Sequence, residues 1–266
     1  MTERSFVTDD GVRIVYDDVG PRDGVTVVLC HGLTMEAAQY HETAEAFVAR
    51  GYRVLMPNLR GHARSGVPAV VSRETFTLAR FGADQQAMLA DAGVDKVHWV
   101  GNSLGGIVGL SLLPAGRFLS LTTYGTSYRI GLNARFAEFW VGLSYWWLRP
   151  RLIGWMMSWL VSRHVPTRRY VAERIVATRP DVIAAIAGVV AGYDLRPLAE
   201  AATTPMLLLD CRKDWLVGWT MGGTLRAAKR LGVRVVALPD GGHCADLDAP
   251  REWREGVLGF IASVSK

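Results

Sequence analysis

Lys96-Val97-His98-Trp99-Val100-Gly101-Asn102-Ser103-Leu104-Gly105-Gly106-Ile107-Val108-Gly109 is the stretch that decides how this chain folds. Residues 96–100 are apolar and β-branched, which predicts a buried strand. Residues 105–113 read as a buried helix that stops at Pro114. Only Gly101-Asn102-Ser103-Leu104-Gly105 separates the two, so the chain must turn sharply there. A serine on such a turn is lifted clear of the sheet, and the helix start beneath it offers unpaired N–H groups to an anion. A side chain at either flanking glycine would collide across the turn. The pattern is that of a nucleophile elbow. Glycine and serine are common residues, so the pattern carries weight through its surroundings.

Upstream, Phe6-Val7 and Val12–Tyr16 flank Asp9-Asp10-Gly11 and read as a β-hairpin. Val25–Cys30 is a continuous apolar run, as expected of a strand buried on both faces. A helix over Glu36–Arg50, a strand over Tyr52–Met56 and a helix over Thr75–Ala92 lead to the decisive strand. Downstream, Ser120–Tyr124, Pro205–Asp210 and Val233–Leu238 read as strands, with helices over Thr220–Leu231 and Glu252–Val264. This alternation predicts a mostly parallel sheet covered by helices on both faces. Between residues 127 and 197 only helical patterns remain. The expected organisation is therefore a core of residues 1–126 and 198–266, with residues 127–197 inserted as a helical cap over the strands' carboxyl ends, where open α/β sheets bind ligands.

The chain has 266 residues, half of them hydrophobic, enough for one sizeable core. Its net charge of +5 is not spread evenly. Residues 127–197 carry ten arginines and no lysine against Glu138, Glu173, Asp181 and Asp194, which leaves the remainder close to neutral. Such a local excess beside many tryptophans suggests one distinctive surface or pocket and not a nucleic-acid-binding stripe. Cys30, Cys211 and Cys244 are scattered without metal spacing and read as free thiols of a reducing compartment. Residues 1–5 lack a basic-then-apolar signal segment, so a cytoplasmic protein is expected. Phe139–Val161 is apolar but interrupted by Arg149-Pro150-Arg151, which argues against a spanning helix.

A serine hydroxyl needs a base within hydrogen-bond reach. His243 follows the strand Val233–Leu238 in the loop Pro239-Asp240-Gly241-Gly242, on the sheet edge where Ser103 is expected. His31 and His62 also lie on loops after strands and are assigned structural or oxyanion-loop roles. His98 sits mid-strand as a core or cross-strand residue, and His41 and His164 read as helix-surface or cap positions. The acid that orients His243 is Asp214, past the strand Met206–Leu209, with Asp210 as its rival. Gly125-Thr126-Ser127, after the earlier strand, holds no carboxylate. Oxyanion donors are expected from the Leu104 N–H and from the His31-Gly32-Leu33-Thr34 loop, with Leu33 favoured over Thr34.

With these residues in place the chain resembles the α/β-hydrolase superfamily over nearly its whole length outside the cap. His31-Gly32 resembles the superfamily's oxyanion loop, Asn58-Leu59-Arg60-Gly61-His62-Ala63-Arg64-Ser65 its D-x-R-G-x-G-x-S segment, and Gly101–Gly106 its elbow. Gly242-His243 and Leu247-Asp248-Ala249-Pro250 resemble its catalytic-histidine end. Asn58 and Ala63 depart from the usual aspartate and glycine. The order Ser103…Asp214…His243 is the superfamily's triad order. The resemblance implies an α/β-hydrolase fold and a carboxylic ester hydrolase that needs no metal or organic cofactor. Carbon–carbon bond hydrolases share the G-N-S-x-G-G elbow, but their glycine-proline-rich oxyanion loop is missing. Cofactor-free perhydrolysis and a non-enzymatic ligand receptor on the same scaffold are the other readings.

Five of the nine tryptophans fall between Trp140 and Trp159. Trp140, Leu143 and Trp147 share one helical face, and Leu152, Trp155, Met156, Trp159 and Leu160 share another. Trp140, Trp147, Trp155 and Trp159 are the expected walls of a pocket for a hydrophobic small-molecule ester or lactone. The same aromatic-plus-arginine faces also suit core packing, a membrane surface or a homodimer.

Overall fold

The computed structural model describes residues 1–265. Eight strands build one sheet: β1 (Thr2–Val7), β2 (Arg13–Val19), β3 (Thr26–Cys30), β4 (Arg53–Pro57), β5 (Val97–Asn102), β6 (Phe118–Tyr124), β7 (Met206–Cys211) and β8 (Arg234–Leu238). Their spatial order is β1-β2-β4-β3-β5-β6-β7-β8. β1 and β2 form the expected antiparallel hairpin, and β2 runs antiparallel to β4. From β4 to β8 every neighbouring pair is parallel.

Helices cover both faces because β3 and β5 are apolar on both. Val28 and Cys30 of β3, with Val97 and Trp99 of β5, enter one core with α2 (Leu78–Asp91) and α3 (Leu104–Ser111). Val27, Leu29 and Val100 enter the other, with α1 (His41–Val48) and, further along the chain, α11 (Pro250–Val264). That second core centres on Trp253, which packs against Tyr40, Phe47 and Tyr124. Burying each such aromatic contributes about 2–3 kcal/mol.

Two predicted helices start later than their hydrophobic pattern suggests. Over Glu36–Arg50 the chain first makes a 3₁₀ turn at Ala37–Tyr40, whose first amide donates to Asn58 Oδ1 at 3.0 Å, and only then enters α1. Over Thr75–Ala92 a 3₁₀ turn precedes Thr77, whose side chain accepts the Arg80 amide and caps α2.

Between β6 and β7 lie α4 (Ala134–Trp147), α5 (Pro150–Val161), α6 (Val165–Ala177), α7 (Pro180–Gly192) and the short α8 (Arg196–Ala201). In this helical insertion α4 packs on α7, and α5 on α6. Val182, Ala185 and Ile186 of α7 join the first core, whereas α4 has no buried residue. Helix α9 (Gly218–Arg230), then β8, α10 (Ala245–Asp248) and α11 complete the chain. Among the described residues no single helix is long and apolar enough to cross a membrane.

Candidate active site

Ser103 lies between β5 and α3 with φ 47° and ψ −114°, a conformation L-residues rarely adopt. Such strain persists only where the surroundings over-determine it. Here β5 carries pairing to its last residues, Gly101 with Thr123 and Asn102 with Tyr124, and the Ser103 amide donates to the Tyr124 carbonyl at 2.9 Å. The Trp99 indole N–H donates to the Gly105 carbonyl at 3.0 Å, tying strand to helix. A Cβ on Gly101 would fall on the Gly105 carbonyl, and one on Gly105 would fall on the Cys30 carbonyl of the neighbouring strand. Both glycines are therefore steric requirements of the elbow.

His243 and Asp214 are both buried and joined by a 2.8 Å bond between His243 Nδ1 and Asp214 Oδ2. Asp214 also accepts the Leu216 amide at 3.0 Å and the Val217 amide at 3.2 Å through Oδ1, so its carboxylate is held on both oxygens. Asp210, the rival acid, instead pairs with Arg212 at 2.8 Å. The His243 loop is pinned from three sides. Asn102 Nδ2 donates to the His243 carbonyl at 2.7 Å, and the His243 amide donates to the Val161 carbonyl, at the end of α5, at 2.8 Å. Asp248 accepts the Ser162 hydroxyl at 2.6 Å and the Gly242 amide at 3.0 Å. Nothing in the local sequence marks Asn102 or Asp248 for these tasks, since the bonds join residues 141 and 86 positions apart.

The loop after β3 carries Leu33, which borders one cavity together with Ser103, Leu104 and His243. Among the described residues, neither the Leu33 nor the Leu104 amide donates to another main-chain group. Thr34, at φ 68°, is a second strained residue in this loop. His31 underlies it: Nδ1 donates to the Gly32 carbonyl at 2.7 Å while Nε2 accepts the Leu59 amide at 3.1 Å. That pattern requires the neutral ring. Burial, with the His62 ring tilted against it at 5.1 Å, brings its pKa down to about 3, and burial lowers His62 to about 4. Both histidines are thus supports of the loop, as expected. His98, equally buried, bonds Ser120 across the strands at 2.8 Å. Ala63 adopts φ 45°, which explains why a glycine suits that position. Arg60 is fully buried between Asp84 and Asp10 and anchors the same segment.

Behind His243, Asp246 is buried beside Gln39, whose Nε2 donates to Asp246 Oδ2 at 2.7 Å. Burial raises its pKa from 3.8 to about 7. Between these values the unfolded chain releases a proton that the folded state retains, so Asp246 removes stability as pH rises from about 4 to about 7. Urea unfolding at pH 5 and pH 8 tests this. Wild type is expected to lose stability relative to Asp246→Asn between the two, and an unchanged gap would refute it. The three cysteines are free and buried, and burial pushes their thiols up, away from the reactive thiolate.

The cavity above Ser103 has a volume of about 290 Å³. Its walls are apolar, with Met35, Tyr145, Met157, Val161, Ile183 and Trp219 prominent. The tryptophans expected there lie elsewhere. Trp140, Trp147, Trp155 and Trp159 are all exposed, 40–71%, and none borders the cavity. Helices α4 and α5 are apolar nearly all round, and they turn Tyr145, Met157 and Val161 inward instead. Trp219, at the start of α9, is a wall residue that no helical pattern in residues 127–197 could have revealed. Met35 and Cys244 pack with Ile153, Val161, Val171 and Ile175, joining the insertion to the loops of Leu33 and His243.

A family model described as the alpha/beta hydrolase fold matches residues 25–250. A non-heme chloroperoxidase of Streptomyces lividans is 34% identical over 102 residues, 38% of this chain and 36% of that protein's length. The chain therefore aligns with only about a third of that relative. The 3-oxoadipate enol-lactonase 1 of Acinetobacter baylyi is 22% identical over 255 residues, 92% of this chain and 91% of its own. Among solved structures, an esterase of Rhodococcus sp. ECU1013 superposes with a TM-score of 0.81 at 23% identity, covering 99% of this chain and 100% of the esterase. That likeness is one of fold. The matched family, the eight-stranded sheet and the elbow agree, and the chain belongs to the α/β-hydrolase family.

Proposed function

We propose that this hydrolase cleaves a carboxylic ester, lactone or thioester of a hydrophobic substrate through an acyl-enzyme. The observation that carries the proposal is the buried 2.8 Å bond between His243 and Asp214 beside the cavity that Ser103 also borders. Ser103 Oγ attacks the substrate carbonyl while His243 Nε2 takes its proton. Asp214 holds the proton on Nδ1 and stabilises the imidazolium. The Leu33 and Leu104 amides donate to the developing oxyanion, in a site whose apolar walls strengthen that interaction. His243 then protonates the leaving oxygen or sulfur, and finally draws a proton from the water that releases the acid and restores Ser103. In this reading residues 127–197 act as a cap and supply part of the acyl wall.

The cavity volume limits the substrate. At about 290 Å³ the cavity lies at the low end of small-molecule sites. On a series of p-nitrophenyl esters, kcat/KM is expected to rise from acetyl to about octanoyl and to fall for much longer chains. A maximum at acetyl would remove the apolar acyl site from the proposal. Likeness to the chloroperoxidase supports a second reading, in which hydrogen peroxide replaces water and the acyl group leaves as a peracid. Peracid formation from an ester and peroxide, measured beside simple hydrolysis, decides between them.

A further inference from the structure

Helices α4 and α5 leave large apolar faces with nothing packed on them. Trp146 and Trp147 are 76% and 71% exposed, and Phe139 and Trp140 continue the surface along α4. On α5, Leu152, Trp155, Met156 and Trp159 recur at helical spacing and are all exposed, while Ile153 and Val161 on the opposite side are buried. A monomeric soluble surface rarely presents so much contiguous apolar area without a partner.

The charges around this face identify the partner. Residues 139–172 contain five arginines and no aspartate or glutamate. Arg149 and Arg151, both exposed, sit at the turn between α4 and α5. The Arg168 guanidinium lies 3.5 Å from the centre of the Trp159 ring, which leaves its charge on the same side as the aromatic surface. Among the described residues, Arg149, Arg151, Arg163 and Arg168 form no ion pair with a carboxylate. A second copy meeting this face about a two-fold axis would oppose arginine to arginine with no acid between them. Indole rings seat at the headgroup level of a bilayer, and arginine beside them is attracted to anionic lipid.

We propose that the α4–α5 face docks on the surface of an anionic phospholipid bilayer, lying in the interface without crossing it. Tyr145 of α4 and Met157 of α5 border the cavity above Ser103. The docked face and the cavity wall thus belong to the same two helices, separated by about one helix diameter, roughly 10 Å. A lipophilic substrate dissolved in the bilayer would have only that short distance to travel.

Flotation with phosphatidylcholine vesicles, with and without phosphatidylglycerol, tests the proposal. Wild type is expected to partition about tenfold or more in favour of the anionic vesicles at low salt. Trp146→Ser with Trp147→Ser should lower partitioning about tenfold on these vesicles. Arg149→Glu with Arg151→Glu should abolish the preference for phosphatidylglycerol. Both pairs are exposed and outside the cavity, so far-UV circular dichroism and turnover of a soluble short-chain ester should stay unchanged. Ser103→Ala protein should bind as wild type does, which separates this proposal from the catalytic one. Equal or absent binding to the two vesicle types would overturn it. So would a concentration-dependent dimer in sedimentation velocity that the tryptophan changes dissolve, which would give the face to a second copy.

Discussion

Ser103→Ala is expected to lower kcat on p-nitrophenyl esters by about 10⁴–10⁶-fold and to abolish labelling by a fluorophosphonate probe. The reasoning runs from the turn itself. Ser103 is strained at φ 47°, held by the Tyr124 carbonyl on one side and by α3 on the other, and it borders the cavity. Alanine keeps the backbone position and removes the atom that would form the covalent intermediate of the proposed mechanism. The fold should survive, because nothing else depends on that hydroxyl: its oxygen makes no hydrogen bond within the protein among the described residues. Loss of both labelling and turnover with an unchanged melting temperature is the predicted result. Wild-type protein that is folded yet fails to label would favour the receptor reading over the enzyme. Residual turnover in Ser103→Ala close to wild type would mean the nucleophile lies elsewhere.

Asp214→Asn is expected to lower kcat by about 10⁴-fold, while Asp210→Asn leaves it within a few-fold of wild type. Asp214 Oδ2 accepts from His243 Nδ1 and so leaves the lone pair on Nε2, the atom that takes the serine proton in the proposed mechanism. An amide in its place can present its NH₂ to Nδ1, which stabilises the opposite tautomer and moves the ring proton to Nε2. The base then has no lone pair for Ser103. Protein stability should fall little, since the Leu216 and Val217 amides can still donate to the amide oxygen. Asp210 meets Arg212 and not His243, so its neutralisation costs only an exposed arginine its partner. Rates of the two variants against the same ester, with the pH profile of each, make the comparison. Equal losses would reassign the acid.

Much of this architecture is legible in the sequence because the relevant forces act over a few residues. The unbroken burial of β3 and β5, the turn at Gly51 and the glycines of the elbow are local consequences of side-chain volume and backbone sterics. The order of Ser103, Asp214 and His243 is legible for a related reason. Each follows a recognisable strand, and parallel strands deliver their following loops to one edge. The segmentation of residues 36–50 is less legible, because a distant side chain, Asn58, captures the Ala37 amide and sets the first turn apart from α1.

By itself, then, the sequence determined a parallel sheet, a strained serine between strand and helix, and three candidate groups on one edge. Tertiary structure decided which aspartate meets His243, since Asp210 and Asp214 lie only four residues apart and the hydrogen bond depends on where the β8 loop arrives. It also decided that α4 and α5 turn Tyr145 and Met157 to the cavity and their tryptophans to solvent. A helix that is apolar nearly all round has no preferred inner face in its own periodicity. The choice was made by its neighbours, α7 and α6, which cover one side of the pair and leave the other bare.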